Sequence, residues 1–352
     1  MRILFVLFLF ACATPRYAVP GLDEELTQSE AARVTREAYD LALARRARVY
    51  DLAWPVLTAN AALCPDASVR AGLVLADRKL LAEMAGGMEE AALAVMGVEE
   101  GLRLVHVNAG SPAEAAALVS GMMIDAVEGE PVGDPEEAAK LISSALKERG
   151  EATIVADGRT YTFGGTEACD VPVKIGTSQE LNAHAIDGVT IYTGLVRSLG
   201  DEALRSVIAH ELAHVALGHK AAYIRNSVVT GGAVLAPALY TLGGLIDRAL
   251  GLVGAEPDRS YAGRALRLVV PWTEDFEAEA DYVGLYMHAR AGGDLEAAAA
   301  AFELFGTEAP KSLTIRSTHP LVPERLARLR ATIEEIEEKR AAGDPLVPEL
   351  KR

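Results

Sequence analysis

Hydrophobic and polar positions along this chain fall into stretches of different period. Residues 23–54 carry a helical pattern rich in Ala, Arg and Glu, with Ala31, Val34, Ala38, Leu41 and Ala44 near one face. No long heptad array follows, so this helix is expected to pack against the later, larger part of the chain rather than to form a coiled coil. After residue 92 the runs shorten. Residues 102–107 read as a strand, and Ser111-Pro112 opens a short helix. A second strand then leads to a hairpin turn at Glu128-Gly129. Asp134-Pro135-Glu136-Glu137 starts an amphipathic helix that ends at Gly150, and strands at 151–156 and 159–163 are joined by Asp157-Gly158.

Helical spacing returns further on. Leu204, Val207, Ile208, Leu212 and Val215 form a core-facing stripe, with Asp201 and Glu202 in the first turn, where the helix dipole favours negative charge. Gly218 and His219 suit its other end, His219 as a cap. Residues 274–288 read as another helix. Residues 227–246 form an apolar run of nearly spanning length, interrupted by Pro237, Gly231, Gly232, Gly243 and Gly244. A buried or membrane-surface helical hairpin is preferred there over a membrane span.

The chain has 352 residues, half of them apolar, enough for two or three domains with sizeable cores. Lys and Arg number 34 against 50 Asp and Glu, a formal net charge of -16, which excludes binding to nucleic acid or anionic lipid by bulk electrostatics. There is no G-x-S-x-G elbow, Walker loop or dinucleotide fingerprint to support serine-hydrolase, nucleotide or redox chemistry.

The chemistry concentrates at His210-Glu211-Leu212-Ala213-His214. Histidines four apart project from one helical face, so both imidazoles reach one metal ion. Glu211 lies beside the metal, where a carboxylate takes a proton from an activated water. A catalytic zinc site needs a third protein ligand and an open fourth position. Glu277-Ala278-Glu279-Ala280-Asp281 is the best downstream candidate: Glu277 and Asp281 share a helical face, and one carboxylate is free to bind metal while Asp281 steadies a ligand histidine.

The pair H-E-L-A-H plus E-A-E-A-D resembles the HtpX-like and CAAX-prenyl-endopeptidase-like family of gluzincin zinc metallopeptidases. The resemblance implies one zinc ion per chain, held by His210, His214 and Glu277, with Glu211 as catalytic base and Asp281 behind the ligands. Asn182-Ala183-His184-Ala185 resembles the edge strand along which substrate lies, although relatives usually carry a larger apolar or aromatic residue at position 184. Ser317-Thr318-His319-Pro320, followed by Glu324-Arg325-Leu326, resembles a further family segment. It implies a catalytic role for His319 near the metal, steadying the oxyanion, or alternatively a role in blocking the open position. The resemblance spans roughly residues 170 to 332.

Residues 92–165 resemble a PDZ-type module, carried by Leu102-Arg103-Leu104-Val105-His106-Val107, Gly110-Ser111-Pro112-Ala113 and Val127-Glu128-Gly129-Glu130-Pro131-Val132. Met122 departs from the usual acidic residue, and Met96-Gly97-Val98 is the nearest candidate for a carboxylate-binding loop. Peptide capture, including an envelope protein partner, and a rigid spacer or lid role stand side by side.

At the N-terminus, Met1-Arg2 followed by the apolar residues 3–10 reads as a signal peptide, and Leu9-Phe10-Ala11-Cys12 resembles a bacterial lipobox. Lipidation of Cys12 implies a periplasmic protein held at the membrane by its lipid anchor, the outer membrane being favoured; soluble secretion is the alternative. Cys64 and Cys169 remain as an even pair available for a disulfide, against the alternative of two separate buried thiols.

The expected fold class is α+β: a mainly helical gluzincin domain with a small active-site sheet, plus an inserted PDZ-like β-rich domain. The expected boundaries are 1–12 signal peptide, 13–91 tether and N-terminal helices, 92–165 PDZ-like domain, 166–340 metallopeptidase domain and 341–352 tail. The expected function is zinc-dependent endoproteolysis of protein or peptide substrates in envelope quality control. The alternative is a periplasmic chaperone or assembly factor for outer-membrane proteins with little or latent proteolysis.

Overall fold

The computed structural model of the chain describes residues 20–229, 274–308 and 323–351. Cys12, His319 and residues 230–246 of the apolar run lie outside the described residues. Among the described residues no helix is long and apolar enough to cross a membrane.

Helix α1, Glu24–Ala59, is capped by Asp23, whose carboxylate accepts the Glu25 and Leu26 N–H groups at 2.8 and 3.1 Å. Its second half is buried through Val49, Leu52 and Val56 in the core that also holds the motif helix. The first half corrects the sequence reading. Ala31, Val34, Ala38, Leu41 and Ala44 face outward, while Tyr39, Leu43 and Tyr50 pack on a small core formed by residues 76–93. Two tyrosine rings and Leu43 offer more apolar area than three alanines with Val34 and Leu41, so they decide which face turns inward.

A β-rich unit follows. Strand β1 (Ala67–Arg70) turns at Gly72 into β2 (Leu73–Ala76), which pairs antiparallel with β3 (Arg103–Val107). Helices α2 (Arg78–Met84) and α3 (Glu90–Val95) lie between β2 and β3, and the one-turn helix α4 (Pro112–Ala115) follows β3. Strands β4 (Ile124–Val127), β5 (Glu130–Pro131), β6 (Glu151–Ala156) and β7 (Arg159–Gly164) form a sheet in the order β5-β4-β6-β7. Both hairpin turns have positive φ at their two central residues, 54° and 84° at Glu128-Gly129 and 48° and 71° at Asp157-Gly158, which matches the strand twist. Helix α5 (Pro135–Arg149) is capped by the Asp134 carboxylate at 2.8 Å and stops at the left-handed Gly150.

This unit starts near residue 67, not at 92. Ala71 and Leu75 share one core with Leu102, Leu104, Ile154 and Phe163. A boundary at 92 would cut between the paired strands β2 and β3. Met96-Gly97-Val98 is also displaced from its expected role: Met96 and Val98 pack with α2 and α3, and the turn at Gly72 is the one that lies beside α5.

The chain leaves the unit through β8 (Thr166–Cys169), which pairs antiparallel with β1 from Arg70 opposite Thr166 to Ala67 opposite Cys169. A Cys64–Cys169 disulfide closes the ribbon, with the two Cα atoms 5.5 Å apart. The remainder is mainly helical. A three-stranded sheet in the order β10-β11-β9 combines β9 (Val173–Gly176), β10 (Ala183–Ala185) and β11 (Val189–Tyr192). Helices α6 (Thr193–Ser198), α7 (Asp201–Ala216), α8 (His219–Val229), α9 (Glu274–Arg290), α10 (Leu295–Glu308) and α11 (Pro323–Ala342) follow. Ala183, Val189 and Ile191 pack in one core with Leu204, Ile208 and Leu212 of α7. The last three are fully buried, each stabilising the fold by roughly 1.5–3 kcal/mol.

The disulfide closes a loop of more than a hundred residues, so replacing both cysteines by alanine is expected to cost about 2–5 kcal/mol. Denaturant unfolding under non-oxidising and oxidising conditions measures this; a variant as stable as the parent in both would show that the paired strands alone hold the junction.

Candidate metal centre

Helix α7 is expected to bury one stripe, but residues 206–214 are buried all round, because α1, α9, α10 and the sheet surround it. The motif therefore sits in the interior. His210 is 4% exposed, and Glu211 and His214 are each 1% exposed. Helix α9 crosses α7 at close range. A Cβ on Gly284 would lie 2.9 Å from His210 Cα and 3.1 Å from its backbone N, so only glycine permits this approach. The contact brings Glu277, 2% exposed, to the histidines.

The donor atoms converge. His210 Nε2 lies 3.1 Å from His214 Nε2 and 3.6 Å from Glu277 Oε2, and His214 Nε2 lies 3.3 Å from Glu277 Oε1. One donor atom from each of the three residues falls within 4.8 Å of the others. Two imidazole nitrogens and one carboxylate oxygen form a borderline-soft set of the kind zinc takes in catalytic sites.

Behind the donors lies a buried charge network. Asp281 Oδ1 is 2.9 Å from His210 Nδ1, which turns the opposite nitrogen toward Glu277. Arg325 of α11 donates from Nε and Nη2 to Asp281 at 2.5 and 2.7 Å, and its Nη1 is 3.1 Å from Glu277 Oε2. Phe302 of α10 lies under the guanidinium, 5.3 Å from ring centroid to Cζ. Burial pushes the Asp281 carboxyl up, but the Arg325 charge and the His210 hydrogen bond outweigh it and hold the group below the usual carboxylate range. Burial likewise opposes the charge on Arg325, and Asp281 and Glu277 overcome it, so its pKa is raised. Glu211 is close enough to contribute to that effect. Among the described residues this buried cluster sets three acids, Glu211, Glu277 and Asp281, against one guanidinium. A divalent cation balances the excess of two negative charges, and on both donor chemistry and charge the residues fit zinc.

His214 has its own support. His214 Nδ1 lies 2.8 Å from His219 Nδ1, and His219 Nε2 lies 3.2 Å from Glu279 Oε2. Burial lowers the His219 pKa despite the opposing bond from Glu279. His219 was expected only as a helix cap, and Arg325 only as part of a segment resemblance. The sequence signal for both is faint: a histidine five places beyond the motif, and one arginine among several.

Asn182, Ala183 and His184 lie beside the motif helix. Among the described residues β10 pairs only with β11, with His184 opposite Thr190, so it is an edge. Asn182 Oδ1 accepts the Ala183 N–H at 3.0 Å, and the His184 ring meets Tyr192 edge-on at 5.6 Å.

Residues 165–333 match the model of Peptidase family M48. The mitochondrial metalloendopeptidase OMA1 of Schizosaccharomyces pombe is 29% identical over 170 residues, 46% of this chain and 47% of that protein. The metalloprotease YcaL of Escherichia coli is 24% identical over 232 residues, 64% of this chain and 86% of YcaL. The metalloprotease LoiP of Escherichia coli is 27% identical over 164 residues, 46% of this chain and 62% of LoiP. The chain thus spans about half the length of the OMA1 protein that it matches. Residues 165–333 are thus similar to the M48 peptidases and to YcaL and LoiP, and metalloproteases of that family use zinc.

Two substitutions test how the site is held. Arg325→Met strips the cation from two buried carboxylates and is expected to cost about 3–5 kcal/mol, read by denaturant unfolding. Gly284→Ala is expected to cost about 1–3 kcal/mol by forcing α7 and α9 apart, and to weaken zinc binding in the same variant. Wild-type zinc affinity in Gly284→Ala would show that the close crossing does not position Glu277.

Proposed function

We propose that this chain is a zinc-dependent endopeptidase that hydrolyses peptide bonds within extended protein substrates. The observation that carries this reading is the convergence of His210, His214 and Glu277 from two separate helices, with Glu211 buried beside them and a sheet edge alongside. Zinc, when bound, supplies Lewis acidity toward a substrate carbonyl and toward water. The chain's own residues do the rest. An extended segment adds to the edge of β10, which fixes its backbone in register with residues 183–185. Glu211 takes the proton from the attacking water and passes it to the departing amine, the role of a general base turned general acid. Asp281 and Arg325 hold His210 and Glu277 through both transfers, so the donors need not reorganise as charge develops. His319 is assigned to steadying the developing oxyanion, on the resemblance of its segment alone.

The site of action proposed is the bacterial periplasm, with the chain tethered by lipid at Cys12 to the outer membrane and acting in envelope protein quality control. The lipobox-like start and the Cys64–Cys169 disulfide, which suits an oxidising compartment, support this. The β-rich unit is proposed as a PDZ-like peptide-binding module. A groove of about 500 Å³ runs between α5 and the turn at Gly72, walled on its far side by Trp54 and Leu57 of α1 and by Val173 of β9. That groove also favours the second reading, a chaperone that holds outer-membrane proteins with little turnover.

Glu211→Gln separates the readings. On the peptidase reading it retains zinc and loses proteolysis by about 10²–10⁴-fold, measured on an unfolded protein substrate with zinc content measured in parallel. A fully active variant would refute Glu211 as the base. On the chaperone reading Glu211→Gln still rescues a deletion phenotype, whereas Ser143→Trp, which fills the groove from an exposed position on α5, does not.

A further inference from the structure

We propose that His219 and Glu279 form a second positioning arm of the metal centre, holding His214 through its Nδ1 as Asp281 holds His210. The inference rests on the zinc reading above. An imidazole that offers its Nε2 lone pair to a metal, and stays neutral, carries its hydrogen on Nδ1. His214 Nε2 is the nitrogen that faces His210 and Glu277, at 3.1 and 3.3 Å. Its Nδ1–H therefore donates across the 2.8 Å contact, and His219 Nδ1 accepts. A neutral His219 then carries its own hydrogen on Nε2, which donates to Glu279 Oε2 at 3.2 Å. One assignment of tautomers satisfies the whole chain from metal donor to carboxylate.

Packing fixes the same geometry independently. Gly218 adopts φ 64°, a left-handed turn between α7 and α8 that folds His219 back beneath His214. The His219 ring stacks on Phe276 with centroids 4.6 Å apart and planes 22° from parallel. Phe276 immediately precedes the ligand Glu277, so His219 braces the third ligand's helix as well as the second ligand. The imidazole is 2% exposed, which keeps water from competing for the His214 N–H.

The two arms differ in where they end. The His210 arm ends inside, on Asp281 and Arg325. The His214 arm ends at the surface, because the Glu279 side chain is 53% exposed. Loss of His219 is therefore expected to matter more than loss of Glu279, whose hydrogen bond water replaces in part.

The test measures zinc affinity of the full chain by chelator competition, together with the melting temperature of the metal-free protein. His219→Leu is expected to weaken zinc by about ten- to a hundredfold while the metal-free melting temperature stays at the parent value. His219→Asn keeps an acceptor near the place of Nδ1 and is expected to recover most of the affinity. Glu279→Leu is expected to shift affinity the same way by a smaller factor. Parental affinity in His219→Leu overturns the arm, and parental affinity in Glu279→Leu removes Glu279 from it. Equal losses in His219→Leu and His219→Asn, with lowered metal-free melting, reduce His219 to a packing residue and overturn the proposal too. The series is repeated in the Glu211→Gln background, where the same ratios are expected without turnover. A parent that binds no zinc defeats the peptidase reading itself, and the arm with it.

Discussion

The bond pair between Arg325 and Asp281 is the constraint on which the site depends. Arg325 comes from α11, Asp281 and Glu277 from α9, and His210 from α7, so one guanidinium ties three helices to a common point. Burying such groups is costly, and the cost is offset only when each charge finds a partner at hydrogen-bond distance. A rotation of α9 that moved Glu277 away from the histidines would also break the Asp281 contacts. The ligand geometry is thus held by the same electrostatics that hold the helices, and the site is largely pre-formed in the chain's own charges.

Around this point the packing leaves little slack. Gly284 against the His210 backbone brings α7 and α9 together, and Phe302 lies under the guanidinium. The C-terminal end of α1 joins the same body: Asn60 donates to the Met287 carbonyl at 2.9 Å, and Arg290 reaches back to the Ala59 carbonyl at the same distance. The long N-terminal helix is therefore part of the scaffold that places the helix of Glu277 and Asp281. The family match begins only at residue 165, yet part of the site's support lies more than a hundred residues earlier.

Elements with strong local signals were legible in the sequence. The motif helix announces itself by acidic first-turn residues and apolar spacing, and both hairpins of the β-rich unit by Glu128-Gly129 and Asp157-Gly158. The two histidines were legible through motif spacing, and Glu277 through the resemblance of the E-A-E-A-D segment. What escaped was set by tertiary contact. The strands at 67–76 are short and rich in small residues, and their pairing with β3 and β8 spans long separations that no local period reveals. The inward face of α1 depended on which neighbours its aromatic residues would meet. His219 looks like a helix cap until a left-handed turn folds it back onto His214.

The paired strands β1 and β8 have a consequence for how such a chain is assembled. They bring the entry and exit of the β-rich unit together at one spot on the scaffold, sealed by the cysteine pair. Turns and strand ends between those two points are free to lengthen without shifting the helices bearing the donors, as long as the faces that meet α1 are kept. The unit is thus joined to the scaffold twice, by the sealed ribbon at its base and by the side of α1.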